Sequence, residues 1–230
     1  MDSAAPTSTL RKIIAYTLPM AIFLSLLTVG ELVRKTEGGL WVTFPQSWIY
    51  PLQTIVCGSL VIWFWGEYEF RPPRRIVFVI GVAGLLFLLW IAPQQFLGFG
   101  RRTAGFDPGI FSGRPAFYWA SLGARFLRLV IVVPLVEETF WRGFVLRYLI
   151  NERFTAVAVG AFSWLSFVVV IFGFGFAHSR PDWIAALVTS ALYNLVAYRT
   201  KSLSSCVVAH ALTNLLLGGW IMATRQWGFW

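Results

Sequence analysis

The stretch IVFVIGVAGLLFLLWIAP, residues 76–93, runs for 18 positions without a charged side chain and is preceded by Arg74 and Arg75. A helix needs about 20 apolar residues to cross a hydrocarbon core of roughly 30 Å, so this segment reads as a membrane span with a basic anchor at the headgroups. Working outward, comparable apolar runs lie near 13–33 and 48–66 on one side, and near 117–136, 155–177, 183–198 and 203–223 on the other. A mixed helix over 137–150 is expected after the fourth run. The chain therefore reads as an all-α, polytopic transmembrane bundle of about seven to eight helices, in which the backbone satisfies its own polar groups. One domain over 1–230 is expected, with the polar chemistry gathered in 117–223.

Composition supports the same class. Hydrophobic residues make up 57% of the chain and charged residues 13%, outside ordinary soluble usage. Mean hydropathy is +0.69. The net charge of +9 comes from short clusters at the ends of apolar runs, such as Arg11 with Lys12 and Arg34 with Lys35. Such placement, with many of the twelve Trp near span ends, fits membrane anchoring and argues against nucleic acid as a partner. Membrane lipids are the expected surroundings. Cys57 and Cys206 sit inside apolar runs with no CxxC spacing, and are expected to be buried free thiols.

The first apolar run is longer than a signal-peptide core and lacks a small-residue cleavage site, so it is read as a retained anchor. The nineteen Lys and Arg divide into nine on the N-terminal side of seven spans and seven on the other, with Arg125, Arg128 and Arg142 inside the fourth region. By a small margin this favours a cytoplasmic N terminus, as for a multi-pass protein of a bacterial inner membrane. The connection over 94–115 is rich in Gly and Pro and carries Arg101, Arg102, Asp107 and Arg114. It reads as an exposed loop, either a plain connector between helices or a gate on access to a site.

The chemistry follows residue 130. Ionisable groups at membrane depth cost several kcal/mol and face protein or water. PLVEETFWRG, residues 134–143, sets Glu137 beside Glu138, with Arg142 four positions after the second acid. On a helix Glu138 and Arg142 share a face and can pair, while Glu137 is turned about 100° away, toward a cavity. FGFAH, residues 174–178, closes an apolar span with His178, and HALTN, residues 210–214, places His210 and Asn214 on one helical face. A base, an orienting imidazole and two neutral hydrogen-bond donors are the equipment for activating water against a carbonyl. Each motif alone has a plain structural reading: an interfacial helix end, a headgroup-level histidine, or interhelical hydrogen bonding. Arg125 and Arg128, three apart on one face, are read as facing a cavity, pairing with an acid such as Glu137, snorkelling toward the headgroups, or binding a substrate carboxylate.

These residues resemble the CAAX prenyl endopeptidase and bacteriocin-processing (Abi) family of intramembrane glutamate proteases. Glu137-Glu138-x-x-x-Arg142 is similar to its EExxxR, Phe174-x-x-x-His178 to its FxxxH, and His210-x-x-x-Asn214 to its HxxxN. The resemblance covers roughly 117–223, and the length and layout further resemble the subset found beside exosortase sorting systems. It implies an endopeptidase acting on a membrane-associated peptide or protein, with Glu137 as general base and His178 activating water. His210 and Asn214 would bind the oxyanion, with Glu138 and Arg142 in support. No cofactor is implied. A zinc protease is disfavoured by the absence of HExxH. Remaining alternatives are a non-enzymatic scaffold or immunity protein, or a proton-coupled transporter.

Overall fold

A computed structural model describes residues 6–98 and 105–230. Its long helices are α1 (Pro6–Val33), α2 (Gln46–Trp63) and α3 (Ile76–Phe96), then α4 (Pro115–Tyr148), then α5 (Trp164–Phe176), α6 (Trp183–Thr200) and α7 (Leu203–Thr224). A single turn, Leu40–Thr43, joins the first two. Large apolar side chains such as Leu32, Ile62 and Val77 are exposed on the outside, the pattern of a protein solvated by lipid. This is a helical transmembrane bundle.

Among the described residues four helices are long and apolar enough to cross a membrane: α1 over Thr9–Val33, α3, α4 and α7. These identify an integral membrane protein. The seven runs expected as spans all contain helix, but three fall short of that measure. Gln46 and Gln53 interrupt the apolarity of α2, and Thr189, Ser190, Asn194 and Arg199 that of α6. The third, α5, has only 13 residues. It was expected to begin near residue 155, yet 154–156 form a 3-10 turn and helix starts only after Ser163, whose hydroxyl accepts from the Ser166 N–H. The reason is Gly160, which takes a left-handed φ of +73°; a Cβ there would stand 2.1 Å from the Ala197 carbonyl oxygen. Gly160→Ala is expected to destabilise the protein by about 1–3 kcal/mol, read as a lowered unfolding midpoint in detergent.

The element that positions the chemistry is α4. Sequence reading divides it into a span and a mixed helix, whereas the structure runs one helix of 34 residues through two π-helical segments, Arg128–Val132 and Thr139–Val145. In the first, the Val133 N–H donates to Arg128 O, and Pro134 has no N–H to give to the carbonyl of Leu129. That orphaned carbonyl accepts instead from Asn214 Nδ2 of α7 at 2.8 Å. A proline in mid-helix is thus accommodated by a side chain from a neighbour.

Around α4 the other helices pack as pairs. One is α1 with α2, another is α5 with α6, and α7 lies against α3, α6 and α4. The approach of α7 is close: a Cβ on Gly218 would come within 2.9 Å of the Phe126 ring. The C-terminal end of α4 is held by the buried Arg147, which donates to Val157 O, to Gly143 O and to Glu69 Oε1 at 2.7, 3.2 and 2.6 Å. The core joins Tyr16, Val79, Leu86, Val136, Leu146, Phe174 and Tyr193. Both cysteines are buried and free. Within the 94–115 connection, Arg101 and Arg102 lie outside the described residues, and Asp107 caps the short turn Pro108–Phe111 through the Gly109 N–H.

Candidate active site

Glu138 and Arg142 are both fully buried and pair at 3.2 Å, as their spacing of four predicts. Burying two ions costs several kcal/mol each unless their remaining hydrogen-bonding positions are filled. Most of the guanidinium's are. Nε donates to Asn194 Oδ1 at 3.1 Å, and Nη2 donates to both the carbonyl and the hydroxyl of Ser190 at 3.0 Å. Its carbon lies 5.0 Å from the centre of the Phe174 ring and 5.4 Å from that of Tyr193, so aromatic faces supply further cation–π attraction. Ser190 and Asn194 are partners of Arg142 that sequence reading missed. Their signal was a Ser-x-x-x-Asn pair on one face inside an apolar run.

The same Glu138 oxygen that holds Arg142 accepts from His210 Nδ1 at 2.9 Å. A carboxylate can only accept, so Nδ1 carries a proton and Nε2 is the free end of the ring. Nε2 donates only when the imidazole holds both protons. The ring is stacked on Tyr193 with centroids 5.0 Å apart. Glu138 therefore orients His210 as well as Arg142, a link absent from the sequence reading.

His178 follows the end of α5. Its Nδ1 lies 2.8 Å from the carbonyl oxygen of Phe174, which is also an acceptor only, so Nδ1 again holds a proton, and in the neutral ring the lone pair is on Nε2. Phe174 further packs its own ring against the imidazole, with centroids 4.7 Å apart. The Phe-x-x-x-His spacing has a local cause: one helical turn places both ring and carbonyl of the first residue beneath the second.

Glu137, His178, His210 and Asn214 line one cavity of about 790 Å³, together with Arg128 and Trp141. Glu137 is 7% exposed, and its buried Oε2 has no hydrogen-bond partner. Asn214 spends one amide hydrogen on Leu129 O and has a second to offer. The structure thus brings the four residues to one space and sets Glu138 with Arg142 behind them. Among the described residues no three His, Cys, Asp or Glu side chains converge as a metal-ligand set.

Residues 118–216 match the family described as type II CAAX prenyl endopeptidase, Rce1-like. The matched segment covers less than half of the chain but contains all three motifs and most of α4 and α7. No curated protein and no solved structure matches the chain.

Proposed function

We propose that this chain, a member of the CAAX prenyl endopeptidase family through residues 118–216, is a glutamate-type intramembrane endopeptidase. Water bound between Glu137 and the bare Nε2 of His178 gives a proton to Glu137 as its oxygen attacks the scissile carbonyl carbon. The developing oxyanion accepts from His210, protonated on both nitrogens, and from the second amide hydrogen of Asn214. Such donors act in a low-dielectric cavity where each is worth roughly 100- to 1000-fold in rate. As the C–N bond breaks, Glu137 returns the proton to the leaving nitrogen, so that a carboxyl group and an amine are released. Glu138 and Arg142 hold His210 and the helix in place. The step uses no metal.

The observation that carries the reading is the state of Glu137: a carboxylate buried at membrane depth with an unpartnered oxygen, in a cavity shared with two histidines from separate helices. A structural acid in that position would be expected to be bonded through at least one oxygen, as Glu138 is through Oε1 although its Oε2 too has no partner. The substrate is a membrane-associated peptide or protein, reached from a bacterial inner membrane with the N terminus in the cytoplasm.

Comparison of protein termini in the membrane and secreted fractions of cells carrying the wild-type protein or Glu137→Ala tests this. New termini present only with the wild type, and still formed in the presence of chelators, are expected. Their sequences show whether prenylated cysteines precede the cut. Identical termini in both cell lines, with both proteins accumulating equally, would leave a scaffold or transporter as the better reading.

A further inference from the structure

Trp141 takes no part in the chemistry above, yet it lines the same cavity as Glu137, His178, His210 and Asn214. It is 8% exposed, and its indole Nε1–H, which can only donate, has no hydrogen-bond partner among the described residues. A buried indole N–H usually finds a partner. A residue that only filled space between helices could be phenylalanine, as its neighbour Phe140 is.

Two observations fix where that donor stands. A Cβ on Gly173 of α5 would come within 2.9 Å of Trp141 Cζ3 and 3.0 Å of Cη2, so the six-membered edge of the indole rests directly on α5. Nε1 is bonded to Cε2, the ring carbon opposite Cζ3, and so stands on the side turned away from Gly173. Trp141 also follows Glu137 by four residues on α4. Helical side chains lean toward the N terminus, which lays the indole over the turn that carries Glu137. Glu137 Oε2 is itself buried without a hydrogen-bond partner. The Phe174 ring links this pair to the other side of the cavity, standing edge-on to Trp141 at 6.2 Å between centroids and 4.7 Å from the His178 ring.

Three groups with unmet hydrogen-bonding capacity thus border one space. Glu137 Oε2 and Nε2 of the neutral His178 ring accept, and the Trp141 N–H donates. A water molecule matches that set, because it offers two hydrogens and two lone pairs. The two acceptors take its hydrogens and Trp141 donates to one lone pair. The second lone pair is left in the fourth tetrahedral direction, free to reach the scissile carbon. Held by the two acceptors alone, the oxygen can swing about the line that joins them; a third bond stops that motion and fixes the direction of attack.

We infer that Trp141 is a third ligand of the attacking water, a catalytic residue that aims the water's free lone pair through its indole N–H. The inference rests on the peptidase reading and adds a residue to it. The indole keeps its own proton throughout: as the new O–C bond forms, the proton lost from the water passes to Glu137.

The test replaces Trp141 alone by 3-benzothienylalanine, whose ring has nearly the same shape with sulfur in place of the N–H, in the full-length protein in nanodiscs. The substrate is the member of a pool of N-palmitoylated random hexapeptides that the wild type cuts fastest. The isostere should lower kcat roughly 3- to 10-fold, the share of one neutral hydrogen bond, with KM and the unfolding midpoint unchanged. Trp141→Phe should lose at least as much. A wild-type structure that resolves ordered water should show one molecule bonded to Glu137 Oε2, His178 Nε2 and Trp141 Nε1. An unchanged kcat in the isostere would overturn the inference while peptide cleavage upheld the peptidase reading. So would a loss confined to KM, which would put the N–H on the peptide, or an indole bonded directly to Glu137. If the water is found on all three groups and the wild type cuts no peptide of the pool, the water site stands and the peptidase reading falls.

Discussion

Glu137→Gln is expected to lower the rate of peptide cleavage by about 10²- to 10⁴-fold, the usual contribution of a positioned general base. The substitution changes one oxygen for an amide nitrogen at nearly constant volume. Because Oε2 of Glu137 has no hydrogen-bond partner, the substitution breaks no hydrogen bond of that oxygen, and although its charge also acts on the buried Arg128, the variant should stay close to the wild-type unfolding midpoint. Loss of rate without loss of stability is the signature of a group that acts on the substrate. Single-turnover cleavage and thermal unfolding of the same preparations measure both. A variant that cuts within tenfold of wild type would take the base role away from Glu137.

The second large effect concerns stability. Arg142→Met leaves Glu138, fully buried, without its arginine partner, and breaking such a pair typically costs 3–5 kcal/mol. The double variant Glu138→Leu/Arg142→Met should recover much of that loss, since it removes both ions together. Recovery of stability should not restore cleavage, because His210 loses the carboxylate that fixes its Nδ1. Denaturant-induced unfolding in micelles for the two single variants and the double gives the coupling directly. A loss below about 1 kcal/mol for Arg142→Met would place the pair among weak, surface-like interactions.

The helical class was legible because lipid imposes it: long uncharged runs such as 76–93 have few other fates. Helix continuity was less so. Pro134 and the change from apolar to charged residues at Glu137 suggest a boundary, but a π-helical segment and the amide of Asn214 carry α4 across it. Within the site, contacts between residues one helical turn apart could be read from spacing alone, as with Glu138 and Arg142 or Phe174 and His178. The bond between His210 and Glu138 could not. Seventy-two residues separate them, and only the packing of α7 on α4 brings them together. The same holds for Arg125 and Arg128: a common face follows from their spacing, whereas the rings packed on Arg125, those of Tyr50, Phe106 and Trp230, reach it from three distant segments.

The shortness of α5 has a consequence for the membrane itself. Thirteen residues rise about 20 Å, some 10 Å less than an average hydrocarbon layer. Where acyl chains meet so short a flank, the mismatch is taken up by thinning of the bilayer, by snorkelling side chains or by neighbouring protein, and thinning would bring headgroups and their water toward the end of the helix that bears His178. On the proposed hydrolytic reading, that mismatch would be a supply route for the water the reaction consumes, and acyl-chain length in the surrounding membrane would then modulate turnover without contact between any lipid and the reacting groups.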